Sequence, residues 1–417
     1  MNVGIFCEEI APTQGGGYTF TSEILQAILS LSSESSHSFV IISRHPERPQ
    51  MLSSFDNVRY FSVEASSSER LHYQLTFLKT TIQETLKHPR NLLKTKPWRS
   101  QFVEDQLVAN QIDIVWSIGD GFLSMELPYI MTIWDLQHRL QPYFPEMSYQ
   151  GSWNKREHGR TEQGQGYATS LRRAAVILTG TKVGKAEIEQ FYQVPSERIR
   201  VLPFPVPQFV LAAPPADNDQ QVLDTYQLRS GYLFYPAQFW THKNHVNLLL
   251  AIQWLRDQHD LIFQVAFSGA DQGNLPYIRE LVEELGLSAQ VRFLGFVPQE
   301  DLIVLYRNAF ALTFVTFFGP DNLPPLEAFA LGCPVIASNV AGAQEQLEDA
   351  ALLVDPKDPK QIAAAIKSLW EDAALRQTLI DRGKARSSRQ TRESYVRSAF
   401  AILDEFAAIR RCWQPGR

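Results

Sequence analysis

The chain has 417 residues, of which 44% are hydrophobic and 20% are charged. A soft prior of about 150 residues per domain predicts two or three domains with substantial cores, and this composition excludes wholesale disorder. The formal net charge of -6 argues against a general nucleic-acid binder, which normally carries a basic excess.

The three cysteines, Cys7, Cys333 and Cys412, lie far apart in the sequence. They form neither a disulfide framework nor a metal-ligand spacing, so we expect no metal and a reducing, cytoplasmic compartment. The N-terminus, MNVGIFCEEIAP, lacks the features of a signal peptide. No apolar run reaches the roughly 18 residues of a spanning helix. We expect a soluble protein, bound at most to a membrane surface.

The first half of the chain alternates short apolar runs with longer amphipathic stretches. This order predicts strands separated by helices, as in βαβ units with a parallel sheet. Strands are expected at residues 3–6, 39–42, 112–116, 129–134 and 174–179, and helices at 20–31 and 182–191.

A proline-rich stretch at residues 203–219 interrupts this alternation and predicts a linker. The alternation then restarts. Strands are expected at 232–235, 263–267, 291–294, 313–318 and 335–337, and helices at 246–259, 277–285, 298–308, 360–383 and 390–411.

The two similar halves predict an α/β protein with two doubly wound, Rossmann-like domains facing across a cleft. The domains are expected at residues 1–205 and 206–394. From its length alone, a last helix at about 395–417 is expected to pack back on the first domain. In such sheets, ligands bind beyond the carboxyl ends of the strands.

The segment FFGPDNLPPLEAFALGCPVIAS, residues 317–338, predicts a strand end, a stiff turn and a helix that begins near Leu323. The backbone N–H groups of Asn322 and Leu323, with the positive end of the helix, predict an anion site. Asp321 or Asn322 could equally serve to cap the helix. Glu327 either interacts with the helix dipole or accepts hydrogen bonds from sugar hydroxyls.

The segment FYPAQFWTHKNH, residues 234–245, carries Gln238 and Lys243 in a turn between a strand and a helix. A lysine there can neutralise charge on a departing phosphate. The alternative is a solvated residue at a helix start, but cations are poorly placed at that end of a helix.

Two turns of the first half could also face the cleft. Gly15 to Gly17 let the backbone approach a ligand closely, although they match no phosphate-loop pattern and are also a simple turn. Asp135 and His138 follow a strand and could meet an acceptor hydroxyl. A lone histidine is more often structural.

Residues 86–100, LKHPRNLLKTKPWRS, hold five basic residues and no acid. One interpretation is peripheral contact with an anionic membrane face or a lipid-phosphate acceptor. A solvated loop and helix face is the favoured alternative, because Pro89 and Pro97 interrupt an amphipathic helix.

Taken together, these motifs resemble the family 4 retaining glycosyltransferases, which have the two-domain GT-B architecture. The resemblance covers nearly the whole chain in order and is most specific in the last motif. Within this family, the chain is similar to a bacterial branch that builds surface polysaccharides. The matching stretches include GGGYTFTSEIL, IWDLQH, FYPAQFWTHKNH, VRFLGFVPQEDLIVLYRNA and GPDNLPPLEAFALGCPVIASNVAGAQEQLEDAALLVDP.

The resemblance implies a nucleotide-sugar donor held mainly by the second domain. Lys243 would match the lysine on the pyrophosphate, and Glu327 the second glutamate of the E-x7-E motif, on the ribose. The other implied donor contacts are the phosphate-binding backbone of Asn322 and Leu323, the base-packing pair Phe296 and Val297, and the glycine loop at Gly16 and Gly17.

Three positions depart from the family pattern. Gly319 stands where the family has the first glutamate of the E-x7-E motif. Gln238 stands where the family has an arginine, and Trp134 stands where it often has a histidine. Polar residues nearby are interpreted as replacements: Asp321 and Asn322 for the glutamate, His242 and His245 for charge near the phosphates, and His138 for the histidine.

The resemblance therefore implies a retaining, metal-independent hexosyltransferase. It would move a sugar from a GDP- or UDP-linked donor, with GDP-mannose slightly favoured, to a glycan or lipid-linked acceptor. It implies no other cofactor. The alternatives are a non-catalytic GT-B partner subunit that binds nucleotide sugars, a nucleotide-sugar epimerase and a glycan-binding structural protein.

Overall fold

A computed structural model describes residues 1–7, 15–45, 47–48, 52, 58–87, 98–119, 121, 123, 126–147, 158–215 and 219–413. Most of the basic segment 86–100 lies outside the described residues. Within them, each half of the chain forms a parallel sheet covered by helices. The predicted architecture of two doubly wound domains is confirmed.

The first domain contains a seven-stranded sheet in the order β3-β2-β1-β4-β5-β6-β7, among the described residues. Its strands are β1 Asn2–Phe6, β2 Ser38–Ser43, β3 Arg59–Ser62, β4 Ile114–Ser117, β5 Tyr129–Ile133, β6 Val176–Thr179 and β7 Ile199–Val201. Its helices are α1 Gly16–Leu31, α2 Ser67–Lys87, α3 Trp98–Ala109, α4 Gln137–Leu140, α5 His158–Arg173 and α6 Lys182–Tyr192.

The second domain contains a six-stranded sheet in the order β10-β9-β8-β11-β12-β13, in the same part of the chain. Its strands are β8 Tyr232–Pro236, β9 Val265–Ser268, β10 Val291–Gly295, β11 Ala309–Phe314, β12 Val335–Ser338 and β13 Ala351–Val354. The helices that follow β7 are α7 Gln208–Leu211, α8 Asp219–Thr225, α9 His245–His259, α10 Leu275–Glu284, α11 Gln299–Asn308, α12 Leu323–Ala330, α13 Ala343–Leu347, α14 Pro359–Glu371, α15 Ala373–Ser387 and α16 Arg392–Arg410.

The central strands are buried throughout and mostly apolar because helices cover both faces of each sheet. Every residue of β4, β5, β6, β9 and β12 is buried. Parallel strands with two covered faces have no solvent side, so they show a continuous apolar run instead of alternation. This pattern is the reason that the short runs in the sequence predicted the strands correctly.

The last helix, α16, leaves the second domain and packs against α1 of the first. The Phe400 ring stacks on Phe39 with 5.1 Å between centroids, and Tyr395 meets Phe20 edge-on at 5.7 Å. The guanidinium of Arg410 lies 2.8 Å from the Asp113 carboxylate. The C-terminus thus completes the core of the N-terminal domain.

Two element predictions were wrong in detail. The strand expected at 313–318 is β11, which ends at Phe314. The residues after it bond to a neighbouring turn, since the Phe317 N–H donates to the His242 carbonyl at 2.8 Å. The single helix expected at 360–383 is two helices, because Asp372 ends α14 and its side chain caps α15 by accepting from the Leu375 N–H at 2.8 Å.

Candidate functional site

A cavity of about 390 Å³ lies between the two domains, beyond the carboxyl ends of their strands. This is the position at which doubly wound sheets bind ligands. Most of the residues predicted for the site line it: Gly16, Gly17, Asp135, Gln238, Lys243, Phe296, Val297, Asp321, Asn322, Leu323 and Glu327.

His138 does not line this cavity. Its Nε2 lies 3.0 Å from the Tyr192 hydroxyl, and its ring meets Tyr167 edge-on at 5.7 Å. The short helix α4 therefore directs His138 towards α5 and α6, which disagrees with the predicted catalytic role. Asp135 does face the cavity, and its Oδ1 accepts a hydrogen bond from the Gln137 N–H at 2.9 Å.

Lys243 lies in a turn between β8 and α9 that is fixed from several sides. The Tyr235 hydroxyl donates a hydrogen bond to the Lys243 carbonyl. The next residue, Asn244, has φ 58° and donates through Nδ2 to the Val315 and Pro356 carbonyls at 2.7 and 2.8 Å. Asparagine tolerates this left-handed conformation better than most residues do. The turn holds the Lys243 ammonium 5.5 Å from the centre of the Phe314 ring, at the cavity.

The start of α12 offers fewer backbone donors than the sequence suggested. The Asn322 N–H donates to Gln346 Oε1 at 3.1 Å, so the expectation that it is free for a phosphate was wrong. The next two positions after Leu323 are prolines, which have no N–H. Leu323 therefore supplies the one remaining N–H of this first turn, and an anion here would depend strongly on Lys243.

Gly319 explains why the first glutamate of the family motif has no counterpart here. Its φ is 138°, and a Cβ at this position would clash with the Asn322 side chain. That side chain instead donates through Nδ2 to the Gly319 carbonyl at 2.6 Å. The local backbone therefore requires glycine, and Asn322 turns back on the loop.

Asp321 lies at the contact between the domains. Its Oδ2 accepts from the Phe204 N–H of the first domain at 3.4 Å, and its Oδ1 accepts from Gln346 Nε2. Burial raises the pKa of Asp321 to about 7, although the bond from Phe204 acts in the opposite direction. Its carboxyl is thus used in interdomain packing, and it lines the cavity beside that contact.

Glu327 is a buried carboxyl at the cavity wall. Its Oε2 accepts a hydrogen bond from the Tyr306 hydroxyl at 2.7 Å. Burial raises its pKa to about 7, while the bond from Tyr306 lowers it. Such a group can accept hydrogen bonds from ligand hydroxyls when it is ionised.

The glycine loop of the first domain faces the second domain across the cavity. A Cβ on Gly16 would lie 3.6 Å from Leu323, and one on Gly15 would lie 3.9 Å from Gln238 Nε2. The Gln238 amide is oriented by Trp240, whose Nε1 donates to Gln238 Oε1 at 2.9 Å. The absence of side chains on the loop therefore keeps this side of the cavity open.

The residues after β10 add apolar groups to the cavity lining. Phe296 follows β10 and is 53% exposed, whereas its neighbour Val297 is buried. Both line the cavity. An exposed aromatic ring at a cavity edge is suited to stacking on a planar ligand.

The two histidines expected to carry positive charge have other roles. His245 is fully buried among Tyr235, Phe239 and Phe267, and burial lowers its pKa to about 3. It is therefore neutral, and the expectation was wrong. The His242 Nδ1 lies 2.6 Å from Glu146 Oε1, so its partner is a carboxylate of the first domain.

Sequence reasoning missed the roles of Glu146 and Gln346. Glu146 lies in a Phe-Pro-Glu run in which nothing local connects it with His242, 96 positions away. Gln346 on α13 contacts both Asp321 and Asn322. Among the described residues, no cluster of three or more His, Cys, Asp or Glu side chains is placed to hold a metal.

With this geometry in place, residues 226–386 match the family model described as glycosyl transferases group 1. This range covers most of the second domain. The matched range contains Lys243, the loop that leads into α12, and Glu327. The donor-side residues predicted from the sequence thus all lie in the matched range, apart from the glycine loop.

Curated relatives of the chain include bacterial enzymes of surface polysaccharides. O-antigen chain mannosyltransferase B of Escherichia coli is 32% identical over 221 residues, which are 53% of this chain and 58% of the relative. O-antigen chain mannosyltransferase RfbU of Salmonella typhimurium is 29% identical over 203 residues, 48% of this chain and 52% of the relative. The chain thus spans a little over half the length of these relatives.

Solved structures match the whole fold. A glycosyltransferase from Rickettsia africae has a TM-score of 0.69 at 14% identity and covers 97% of this chain and 98% of its own. Anabaena Alr3699/HepE, in complex with UDP and glucose, has a TM-score of 0.67 at 13% identity and covers 96% and 99%. At these identities the likeness shows the fold, and the expected GT-B architecture is confirmed.

Proposed function

We propose that this protein is a retaining glycosyltransferase that moves a hexose, with mannose favoured, from a nucleoside diphosphate sugar to an acceptor hydroxyl. The observation that carries the proposal is the interdomain cavity, which brings together Lys243, the start of α12 and Glu327. The mannosyltransferase relatives and the match to the group 1 family model support it. The UDP complex of a structural neighbour supports a nucleotide-linked donor.

The donor would lie along the second domain. The base would stack on Phe296, the ribose hydroxyls would donate to Glu327, and the diphosphate would lie between Lys243 and Leu323. A cation and a helix N-terminus are the groups that stabilise charge on a departing diphosphate. Because two prolines remove backbone donors at this helix start, Lys243 carries most of that task, and the proposal needs no metal ion.

The sugar would leave with oxocarbenium character, as in other glycosyl transfers. The bond from the anomeric carbon to the phosphate oxygen breaks while the acceptor oxygen attacks from the same face. The acceptor proton passes to the departing phosphate oxygen. Closure of the two domains over the bound donor would exclude water and so limit hydrolysis of the donor.

The acceptor we propose is a glycan or a lipid-linked glycan, which the O-antigen relatives favour. Peripheral contact with a membrane would suit a lipid-linked acceptor. One face of α2 exposes Leu71, Leu75 and Leu78, and α2 leads into the basic segment 86–100. No helix in the described part of the chain is long and apolar enough to cross a bilayer.

The direct test is transfer by the purified protein from a panel of GDP- and UDP-sugars to glycan and lipid-linked acceptors. Product is detected by mass, and the anomeric configuration by nuclear magnetic resonance. We expect Lys243→Ala to lower turnover about a hundredfold, since removing one such charge-stabilising donor costs roughly 3 kcal/mol. Lys367→Ala is the control, because Lys367 pairs with Glu371 on α14, away from the cavity.

Other outcomes identify the alternatives. Donor binding without turnover of any acceptor would indicate a non-catalytic partner subunit, and conversion of the donor without an acceptor would indicate an epimerase. Sugar binding with no nucleotide effect would indicate a glycan-binding protein. Near-full transfer by Lys243→Ala would contradict the role given to this lysine.

A further inference from the structure

A short piece of the first domain, residues 141–147, is seated on the second domain beside the cavity. We call it the docking segment. Gln141 donates through Nε2 to the Phe317 carbonyl at 3.0 Å. The Phe144 ring lies 5.9 Å from the Phe317 ring and 6.2 Å from the His242 ring. The segment therefore touches both the loop that leads to α12 and the turn that carries Lys243.

Glu146 of the docking segment makes two bonds to one residue of the other domain. Its Oε1 accepts from the His242 backbone N–H at 3.0 Å and lies 2.6 Å from His242 Nδ1. The two side chains are 3% and 8% exposed. Burial by itself would raise the pKa of Glu146, but the bonds from His242 outweigh it and hold the pKa below its usual value. A buried, charged acceptor with two donors is a strong contact.

His242 connects this contact with the side of the cavity where the diphosphate would bind. Its carbonyl accepts from the Phe317 N–H at 2.8 Å and from Thr316 Oγ1 at 3.1 Å. Lys243 is the next residue in the chain. His242 is thus bound by the first domain through its N–H and ring, and by its own domain through its carbonyl.

We propose that Glu146 is a positioning residue that holds the Lys243 turn from across the domain boundary. The diphosphate pocket is then complete only when the docking segment is seated. This inference rests on the proposed function, because it assigns Lys243 to the diphosphate. It adds that the acceptor-side domain controls donor recognition through one carboxylate.

The test is a double-mutant cycle read as the ratio of affinities for a nucleoside diphosphate and its monophosphate. The full chain is titrated by calorimetry with GDP and GMP, or with UDP and UMP, whichever pair the parent binds. We expect Glu146→Gln to lower the ratio about tenfold. In a Lys243→Ala background the same change should have no further effect, because residues that act through one group are not additive.

Glu345→Gln is the matched control. Its carboxylate also crosses the domain boundary and accepts from the Lys182 N–H at 2.8 and 3.0 Å, but it does not touch the Lys243 turn. We expect it to leave the ratio unchanged. If Glu345→Gln lowers the ratio as much as Glu146→Gln, general domain docking explains the effect and the proposal is overturned.

Two further results would overturn the proposal: a parent-like ratio in Glu146→Gln, or an equal loss with and without Lys243. If Glu146→Gln does not melt cooperatively, Glu146→Asp is used in the same cycle with the same criteria. A parent that binds neither diphosphate would overturn the proposed function as well. A parent-like ratio in Lys243→Ala would contradict the placement of the diphosphate at Lys243 and would overturn this proposal with it.

Discussion

Two carboxyls beside the cavity, Asp321 and Glu327, have the same raised pKa of about 7 for related reasons. Both are removed from water, which disfavours the charged form. Asp321 accepts from Phe204 of the first domain and from Gln346 of its own domain, while Glu327 has one bond, from Tyr306. Glu327 therefore retains acceptor capacity for a ligand, and its burial costs stability whenever it is ionised.

The pH dependence of stability should report this cost. The folded pKa of Glu327 lies above the ordinary value of 4.5. Its stabilising contribution is therefore complete below about pH 4.5 and is lost as the pH rises through about 7. At pH 8, we expect the free energy of unfolding of Glu327→Gln to exceed that of the parent by an amount on the order of 1–3 kcal/mol. This difference in stability between Glu327→Gln and the parent should shrink towards pH 5.

Differential scanning calorimetry of both proteins between pH 5 and 8 measures this gap. Glu280→Gln, an exposed position on α10, is the control and should show no gap that changes with pH. If the stability difference between Glu327→Gln and the parent is the same at pH 5 and pH 8, the Glu327 carboxyl does not titrate within this range.

At the scale of elements, the turn between β6 and α6 packs against the loop before α12. A Cβ on Gly180 would overlap the Asp321 carboxylate and lie 3.1 Å from the Phe204 ring. Close by, the Glu345 carboxylate accepts from the N–H of Lys182, the first residue of α6. A helix N-terminus favours such a negative partner. The contact sets how closely the two domains approach.

In Gly180→Ala, the added Cβ should push the two domains apart at this contact. Because misplacement by about 1 Å can cost up to a hundredfold in rate, we expect turnover to fall ten- to hundredfold. The radius of gyration from small-angle scattering should rise. Gly119→Ala is the control, since its Cβ would meet Trp134 at an ordinary 3.9 Å. Turnover and radius that match the parent would mean that this contact does not limit closure.

At the scale of the whole molecule, the sequence predicted most of the central strands because their patterns are local, whereas the edge strands β3, β7 and β13 were not predicted. Apolar runs predicted the buried strands, and the stiff Gly-Pro turn before Leu323 predicted a helix start at the cleft. The packing of α16 on the first domain was predicted, but the side-chain contacts that join the domains beside the cavity were not. Glu146 and His242 are 96 residues apart, and neither has a periodicity that reveals its partner. His138 was misplaced because the fold directs its side chain towards α5 and α6.

The same limit applies to the departures from the family pattern. A glycine in place of the first glutamate suggested that nearby polar groups replace it. The structure shows instead that φ 138° at Gly319 and the packing of Asn322 exclude a larger residue. Backbone conformation at a single loop position depends on what packs over it, and this packing becomes visible only in three dimensions.

The central claim is that the cleft beside Lys243 and the start of α12 holds a diphosphate. A crystal structure of the protein with GDP or UDP tests it most directly. We predict pyrophosphate density within hydrogen-bond distance of Lys243 Nζ and the Leu323 N–H, with the ribose at Glu327. A cleft left empty at saturating nucleotide, or a nucleotide bound away from Lys243, would contradict the account.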